Sequence, residues 1–157
     1  MKIKLLVIGK TSGSWLNEGI DIYVKRLRHY TDFSIEVIPD IKNPASLSES
    51  QLKEMESSQF LKKIDDRDWV VLLDENGKQF TSEAFAGVLE KWMVGGTQKV
   101  VFIIGGAFGF GSDLVNRANM KIALSEMTFS HQMVRLIFVE QLYRGFTIIR
   151  NESYHHK

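Results

Sequence analysis

The chain has 157 residues, 44% of them hydrophobic, and a formal net charge of +1. This size and composition predict a single domain over residues 1–157 with a real hydrophobic core. The near-zero charge disfavours a general nucleic-acid binder, because such proteins carry a strong basic excess. The absence of cysteine excludes disulfides and thiolate metal sites.

The hydropathy pattern bears on where the protein works. Residues 1–10, MKIKLLVIGK, contain an apolar run too short for a signal peptide and lack a small-residue cleavage site. No other run approaches the roughly 18 apolar residues of a membrane span. We therefore expect a soluble, cytoplasmic protein that has no membrane association.

The first half of the chain alternates between strand and helix patterns. Residues 1–9 are typical of a buried strand, and helical spacing runs over residues 14–27 with Ser14 as its N-cap. Residues 33–37 alternate apolar and polar side chains, as a half-exposed strand does. After a loop rich in proline and serine, residues 52–64 predict a charged helix that is exposed on one side.

The alternation continues in the next stretch of the chain. Residues 68–74 (DWVVLLD) predict a third strand that ends in a turn at Asn76-Gly77. A helix is expected over residues 82–93 and a strand over residues 100–104. The glycine-dense stretch of residues 105–111 (GGAFGFG) follows as a loop.

The last third of the chain completes the expected fold. A short helix with Ser112 as its N-cap leads to an apolar segment over residues 122–124, a polar loop and a long helix over residues 131–146. Residues 147–157 are expected to form a polar tail. Strands alternating with helices predict an α/β fold with a mainly parallel sheet and helices on both faces.

Two loops of this fold are the first places to seek a function. The loops at the carboxyl ends of parallel strands meet at one edge of the sheet, and ligands bind in the crevices between them. Glycine lets the backbone approach a ligand closely, so residues 105–111 form a candidate ligand loop together with the polar loop after residue 124. A flexible strand-to-helix turn remains an equally open interpretation of the glycines.

Nucleotide and metal motifs are not matched. Gly9-Lys10-Thr11 lacks a P-loop because the motif needs glycine at position 4, which is Lys4. The 105–111 loop contains no G-x-G-x-x-G, and Asp113 would place a negative charge where a phosphate would bind. A ligand without phosphate is therefore favoured. The four histidines offer only one adjacent pair, so no metal site is expected.

The long helix carries both apolar and charged features. Its apolar side chains point in almost every direction, so it must be covered on more than one side. This favours an identical partner subunit about a two-fold axis, and a central core helix of a monomer is the alternative. His131 and Arg135 are four residues apart, as are Glu140 and Arg144. Charges on such a helix are costly to bury unless paired or functional, so these four are candidates for chemistry.

Several segments together form a recognisable pattern. They are Ile103–Gly106, the block Leu124–Phe146 (LSEMTFSHQMVRLIFVEQLYRGF), the Leu73–Lys78 segment (LDENGK) and the terminal Tyr154-His155. Over its whole length the chain closely resembles the ribosomal RNA large-subunit pseudouridine methyltransferase H family of the SPOUT class.

The resemblance implies a homodimer whose C-terminal part forms a trefoil knot, a topology that periodicity would not predict because knots are rare. It also implies that S-adenosylmethionine binds in that knot. The implied cofactor-binding residues are Leu73, Gly105, Gly106, Leu124, Ser125, Glu126, Met127, Thr128 and Phe129.

The implied reaction is methyl transfer to N3 of a pseudouridine in large-subunit (23S) ribosomal RNA, with the assembled ribosome as substrate. We predict that His131 and Arg135 give acid–base or electrostatic help and that Glu140 and Arg144 orient their neighbours. Tyr154-His155 is expected to close over the target base at the dimer interface. Pairing of charges across the subunit contact is the structural alternative for the helix residues, and a non-catalytic ribosome-binding factor is the alternative function.

Overall fold

The computed structural model describes residues 1–156, which form a five-stranded sheet with helices on both faces. All strand pairs are parallel, and the strand order is β2-β1-β4-β3-β5. The elements are β1 (Lys2–Ile8), α1 (Ser14–Leu27), β2 (Asp32–Ile38), α2 (Glu49–Leu61), β3 (Trp69–Gln79), α3 (Ser82–Val94), β4 (Lys99–Ile104), α4 (Ser112–Arg117), β5 (Met120–Ala123) and α5 (Met133–Ile149). The predicted α/β fold is confirmed.

The alternation of side chains along the strands creates two hydrophobic layers. On one face, Leu5 and Phe102 pack with α1, α3 and α5, whereas on the other Leu6 and Ile103 pack with α2 and α4. Successive residues of a strand point to opposite faces, so each central strand supplies both layers. In the larger layer Phe138 of α5 meets Phe102 with ring centroids 4.6 Å apart.

The predicted helix starts are right in position but wrong in their caps. Gly13 and Gly111 occupy the N-cap positions of α1 and α4, and neither makes a side-chain cap bond. Ser14 and Ser112 are the first helical residues instead. Gly13 has a φ of 90°, which a serine rarely adopts, so the cap position there requires glycine.

The predicted turn at Asn76-Gly77 is wrong, because β3 continues through it to Gln79. The pairing with β5 shifts register between Leu73 and Lys78, which marks a bulge rather than a reversal. A Cβ at Gly77 would lie 2.6 Å from the backbone of Ile122. Glycine is therefore required at position 77, because the backbone of the bulged strand lies in direct contact with β5 and leaves no room for a side chain.

Two further boundaries differ from the sequence pattern. Helix α5 runs to Ile149, so the start of the expected tail is helical, and Thr147 is completely buried. Helix α2 has the expected place in the chain, but its buried residues include Glu56 and Ser57 while Met55 is exposed. Throughout residues 1–156, no helix is long and apolar enough to cross a membrane.

Candidate active site

A cavity of about 490 Å³ opens at the carboxyl ends of β3, β4 and β5. It is lined by the part of β3 from Leu73 to Asn76, where pairing with β4 ends, by the glycine loop from Ile104 to Phe110, by Val115 of α4 and by parts of the 121–134 stretch. These are the loops singled out by the sequence, brought together because parallel strands end at the same edge of the sheet.

Eight of the nine predicted cofactor-binding residues line this cavity. Glu126 does not, and it is exposed. The Met127 N–H donates to Ser125 Oγ at 2.9 Å, so the chain turns tightly here and Glu126 lies on the outside of the turn. The eight lining residues are Leu73, Gly105, Gly106, Leu124, Ser125, Met127, Thr128 and Phe129.

The glycine loop is a narrow bonded turn. Gly109 donates its N–H to the Gly106 carbonyl at 3.3 Å, and these two residues form an antiparallel bridge. Gly109 has a φ of 80°, which favours glycine. A Cβ at Gly105 would lie 3.0 Å from the Phe110 ring and 3.1 Å from the Gly109 carbonyl oxygen. The loop therefore has a defined shape that depends on the absence of side chains.

The charged side chains that line the cavity include two carboxylates and one ammonium group. Asp74 and Glu75 line it at the end of β3, and Thr128 Oγ1 donates to Glu75 Oε2 at 3.3 Å. The ammonium group of Lys121 lies 4.0 Å from Asp74, which offsets its charge. Apolar walls from the strand ends, two carboxylates and, among residues 1–156, no lining arginine favour a ligand that is partly apolar and not anionic.

His131 and Arg135 do not act as the pair that the sequence suggested. His131 lines the cavity and is exposed, but it precedes the first residue of α5, Met133, so the two do not share a helical face. Arg135 is 2% exposed and does not line the cavity.

The guanidinium of Arg135 binds the chain just after β1. It donates to the Gly9 carbonyl at 2.9 Å, to Thr11 Oγ1 at 3.0 Å and to the Ile8 carbonyl, while its Nε has no hydrogen-bond partner among the described residues. Burial lowers its pKa, and the nearby charge of Asp40 acts in the opposite direction. These contacts connect α5 to the carboxyl end of β1.

Glu140, Arg144, Tyr154 and His155 come together in a second site, which we call the tail cluster and which also includes Tyr23 and Glu83. Arg144 donates to Glu140 at 2.6 Å, and the Tyr154 hydroxyl donates to the same carboxylate at 2.9 Å. His155 lies 3.1 Å from Glu83 through Nε2 and 3.4 Å from Arg144 through Nδ1. None of these six residues lines the cavity of its own chain.

The tail cluster holds Tyr154 as a neutral hydrogen-bond donor. Burial raises the pKa of its phenol, and its bonds with Tyr23 and Glu140 raise the pKa further. Hydrogen bonds to Glu140 raise the pKa of Arg144 in turn. The chain end near Tyr154 is therefore fixed on α1 and α5 by specific bonds.

Sequence reasoning missed several members of both sites. Tyr23 was not among the predicted site residues, although its hydroxyl lies 3.2 Å from that of Tyr154. Asp74 and Glu75 belong to the Leu73–Lys78 segment, but only Leu73 of that segment was predicted to bind the cofactor. Within residues 1–156, no three His, Cys, Asp or Glu side chains cluster as metal ligands would.

Comparison with known proteins identifies the class to which this architecture belongs. The family model described as "Predicted SPOUT methyltransferase" matches residues 1–155, and the chain belongs to that family. Among its relatives are proteins named ribosomal RNA large subunit methyltransferase H. Those from Flavobacterium johnsoniae and Flavobacterium psychrophilum are each 55% identical to this chain, and that from Christiangramia forsetii is 52% identical. Each alignment covers 157 residues and 100% of both chains, and the resemblance seen in the sequence is thereby confirmed.

Proposed function

We propose that this chain transfers a methyl group from S-adenosylmethionine to N3 of a pseudouridine in large-subunit ribosomal RNA, within assembled cytoplasmic ribosomes. The observation that carries the proposal is the cavity formed by the end of β3, the glycine loop and the stretch after β5 in a chain of the SPOUT methyltransferase family. Full-length identity of 52–55% with proteins named for large-subunit RNA methylation supports the choice of substrate.

The residues of the cavity fit S-adenosylmethionine. The cofactor has no phosphate, carries a positive sulfonium and presents an apolar adenine, and the cavity has apolar walls, two carboxylates and a size within the range of cofactor sites. When bound, S-adenosylmethionine supplies an activated methyl group. Backbone groups of Gly105 and Gly106 and the side chains of Leu73 and Leu124 would hold its nucleoside, and Asp74 would face its positive charges.

The chain's own contribution to the chemistry is alignment and proton transfer. The nitrogen N3 must lose a proton before it can attack, and His131 is the histidine that lines the cavity. An imidazole is suited to accept a proton near neutral pH, so we assign this role to His131. Rigid walls that fix the methyl donor beside the base should supply most of the acceleration.

The second site is proposed to serve a partner subunit. Tyr154 and His155 are held on α1, α3 and α5 and do not line the cavity of their own chain. In a homodimer, the tail cluster of one subunit can cover the base bound at the cavity of the other. The exposed Trp15 and Ile22 on α1, 60% and 50% accessible, lie on the helix that packs beside α5 and provide an apolar surface for this contact.

The C-terminal trefoil knot is part of the same proposal. Helix α4 packs with α2 on one face of the sheet, whereas α5 packs with α1 and α3 on the other. The chain therefore crosses from face to face through the 124–132 stretch, directly beside the glycine loop. This crossing next to the cavity supports a threaded connection of the kind that the family implies.

Transfer of labelled methyl groups to purified ribosomes tests the function. Ribosomes from cells that lack this protein should accept about one methyl per particle, whereas free large subunits and naked RNA should accept far less. Recognition of a particle by shape explains how a protein with a net charge of +1 can act on RNA. Tight binding to ribosomes without methyl transfer would instead support a non-catalytic ribosome-binding factor.

Complementation between subunits tests whether the cavity of one subunit and the tail cluster of its partner form one active site. One variant ends after Glu152 and lacks the tail, and the other carries Gly105→Val, whose side chain would collide with Phe110. Each homodimer should be inactive, but mixed dimers should regain activity because an intact cavity meets an intact tail. Absence of any recovery in purified mixed dimers would contradict a tail that acts across subunits.

A further inference from the structure

Helix α2 lies behind the glycine loop and presents polar rather than apolar side chains to it. The Gly111 N–H donates to Ser57 Oγ at 2.7 Å, and Ser57 is 2% exposed. The Ser112 N–H donates to Glu54 Oε1 at 3.1 Å. The end of the loop is therefore bound to α2 by two side chains through backbone amides.

A buried carboxyl group lies against the start of the loop. Glu56 is 7% exposed, and a Cβ at Gly106 would lie 2.7 Å from its Oε1. Burial raises the pKa of Glu56, the Gly106 amide lowers it by hydrogen bonding, and the charge of Asp40 raises it again, with a net rise. Burying this carboxyl costs free energy unless its oxygens find hydrogen-bond partners.

The position of these groups explains what the protein gains from a buried carboxyl here. Gly106 lines the cavity, and Gly111 closes the loop that forms one of its walls. A loop fixed at both ends loses less conformational freedom when a ligand binds, which increases affinity without a new contact. A loop held only by its own Gly109–Gly106 bond would have to be ordered by the ligand.

We propose that Glu56 and Ser57 are positioning residues that hold the glycine loop in its cofactor-binding shape, Glu56 through its close contact with Gly106 and Ser57 through the amide of Gly111. The inference rests on the proposed function, because it takes S-adenosylmethionine as the ligand of the cavity. Neither side chain lines the cavity, so both act through the loop rather than by touching the cofactor.

Calorimetry with S-adenosylmethionine tests the serine. Ser57→Ala leaves the Gly111 amide without its acceptor, and we expect the Kd to rise about tenfold. KM for the cofactor should rise by a similar factor while kcat at saturating cofactor changes less than about twofold, since an unbound loop weakens binding before it affects transfer. Ser57→Thr keeps the hydroxyl and should restore most of the affinity. Ser58→Ala, one residue along the same helix and exposed, is the matched control.

Replacing Glu56 separates stability from cofactor affinity, which a merely structural role would not do. Glu56→Gln keeps the shape and one acceptor oxygen but replaces the other carboxyl oxygen by an NH2 group. We expect an unchanged or higher Tm, because an amide costs less to bury than a carboxyl that can ionise. The Kd should be about three- to tenfold weaker, because the amide NH2 group is a donor and cannot accept from the loop. Glu49→Gln at the exposed start of α2 is the control and should leave the Kd unchanged.

Hydrogen exchange followed by NMR without cofactor examines the restraint directly. The Gly111 amide should be protected in the wild-type protein, and Ser57→Ala should speed its exchange selectively. If wild-type protein binds the cofactor and both Ser57→Ala and Glu56→Gln bind it equally well, the inference is overturned while the proposed function stands. If wild-type protein fails to bind the cofactor at all, the proposed function fails, and protected loop amides alone would not rescue the inference. If Ser57→Ala does not fold, cofactor binding by the isosteric Glu56→Gln variant and hydrogen exchange in the wild-type protein still test the inference.

Discussion

The cavity and the tail cluster differ in the kind of groups that form them. The cavity is shaped by backbone and apolar side chains, and its glycine loop works because side chains are absent at Gly105 and Gly106. The tail cluster consists of side-chain hydrogen bonds in which Glu140 accepts from both Arg144 and Tyr154. Substitutions at the cavity should therefore act through shape, whereas substitutions in the tail should act through the loss of single polar contacts.

The difference also separates binding from chemistry. In the proposed function the cavity holds the cofactor, and the tail cluster meets the RNA base supplied to a partner subunit. Damage to the first should abolish cofactor affinity, and damage to the second should spare it. The following variants test whether the cavity and the tail cluster have these separate roles.

The largest effect is expected from Gly77→Ala. Its Cβ would lie 2.6 Å from the backbone of Ile122, so β5 would have to move and carry the 124–129 wall with it. We expect a loss of about 1–3 kcal/mol in the free energy of unfolding and no measurable cofactor binding. Thermal melts and calorimetry check this result.

Gly87→Ala is the matched control for that variant. A Cβ at Gly87, within α3, would meet nothing within 4 Å. This change should stabilise the protein by about 0.5–1 kcal/mol, because alanine favours a helix over glycine. Equal stability of the two variants would show that contact between β3 and β5 does not set the shape of the cavity.

Arg135→Lys addresses the residue that connects α5 to β1. Lysine cannot reproduce the fork of bonds to Gly9, Ile8 and Thr11, so we expect a loss of about 2 kcal/mol and a fall in Tm of about 4–8 °C. Methyl transfer per folded molecule at low temperature should change less than about twofold. A large drop in kcat with normal Tm would restore the catalytic role first suggested for Arg135. Arg28→Lys on the exposed surface is the control.

Tyr154→Phe should affect transfer and not cofactor binding. It removes the hydroxyl that donates to Glu140 and lies beside the hydroxyl of Tyr23. We expect kcat to fall about tenfold, consistent with the loss of roughly 1.4 kcal/mol of positioning by one charged hydrogen bond. The Kd for S-adenosylmethionine should stay within error of the wild-type value. A weakened Kd would mean that the two sites are not separate.

The smallest effect is in the alkaline pH dependence of stability. Burial and hydrogen bonds raise the pKa values of Tyr154 and Tyr30 in the folded state, so folding favours their neutral forms. Their contribution is fully present below the ordinary tyrosine pKa of about 10 and is lost as pH rises from there through the folded-state values. Tm should decline over this range, and the decline should be shallower in Tyr154→Phe. An identical decline in both proteins would argue against a buried donor at Tyr154.

The local pattern of the sequence determined the alternation of strands and helices and the edge at which the cavity opens. Period-two and helical spacings report which face of an element is apolar, and the glycines of residues 105–111 mark a place where backbone must come close to something else. The family motif then predicted a set of cofactor-binding residues, and eight of the nine line the cavity.

Tertiary structure alone decided the rest, because the decisive contacts join residues far apart in the chain. The bond from Arg135 to Gly9 spans 126 positions, and that from Gly111 to Ser57 spans 54. The neighbouring positions in the sequence do not indicate whether the guanidinium of Arg135 faces a cavity or binds the end of β1. Spacing along a helix places a side chain on a face, but packing of the other elements determines what that face meets.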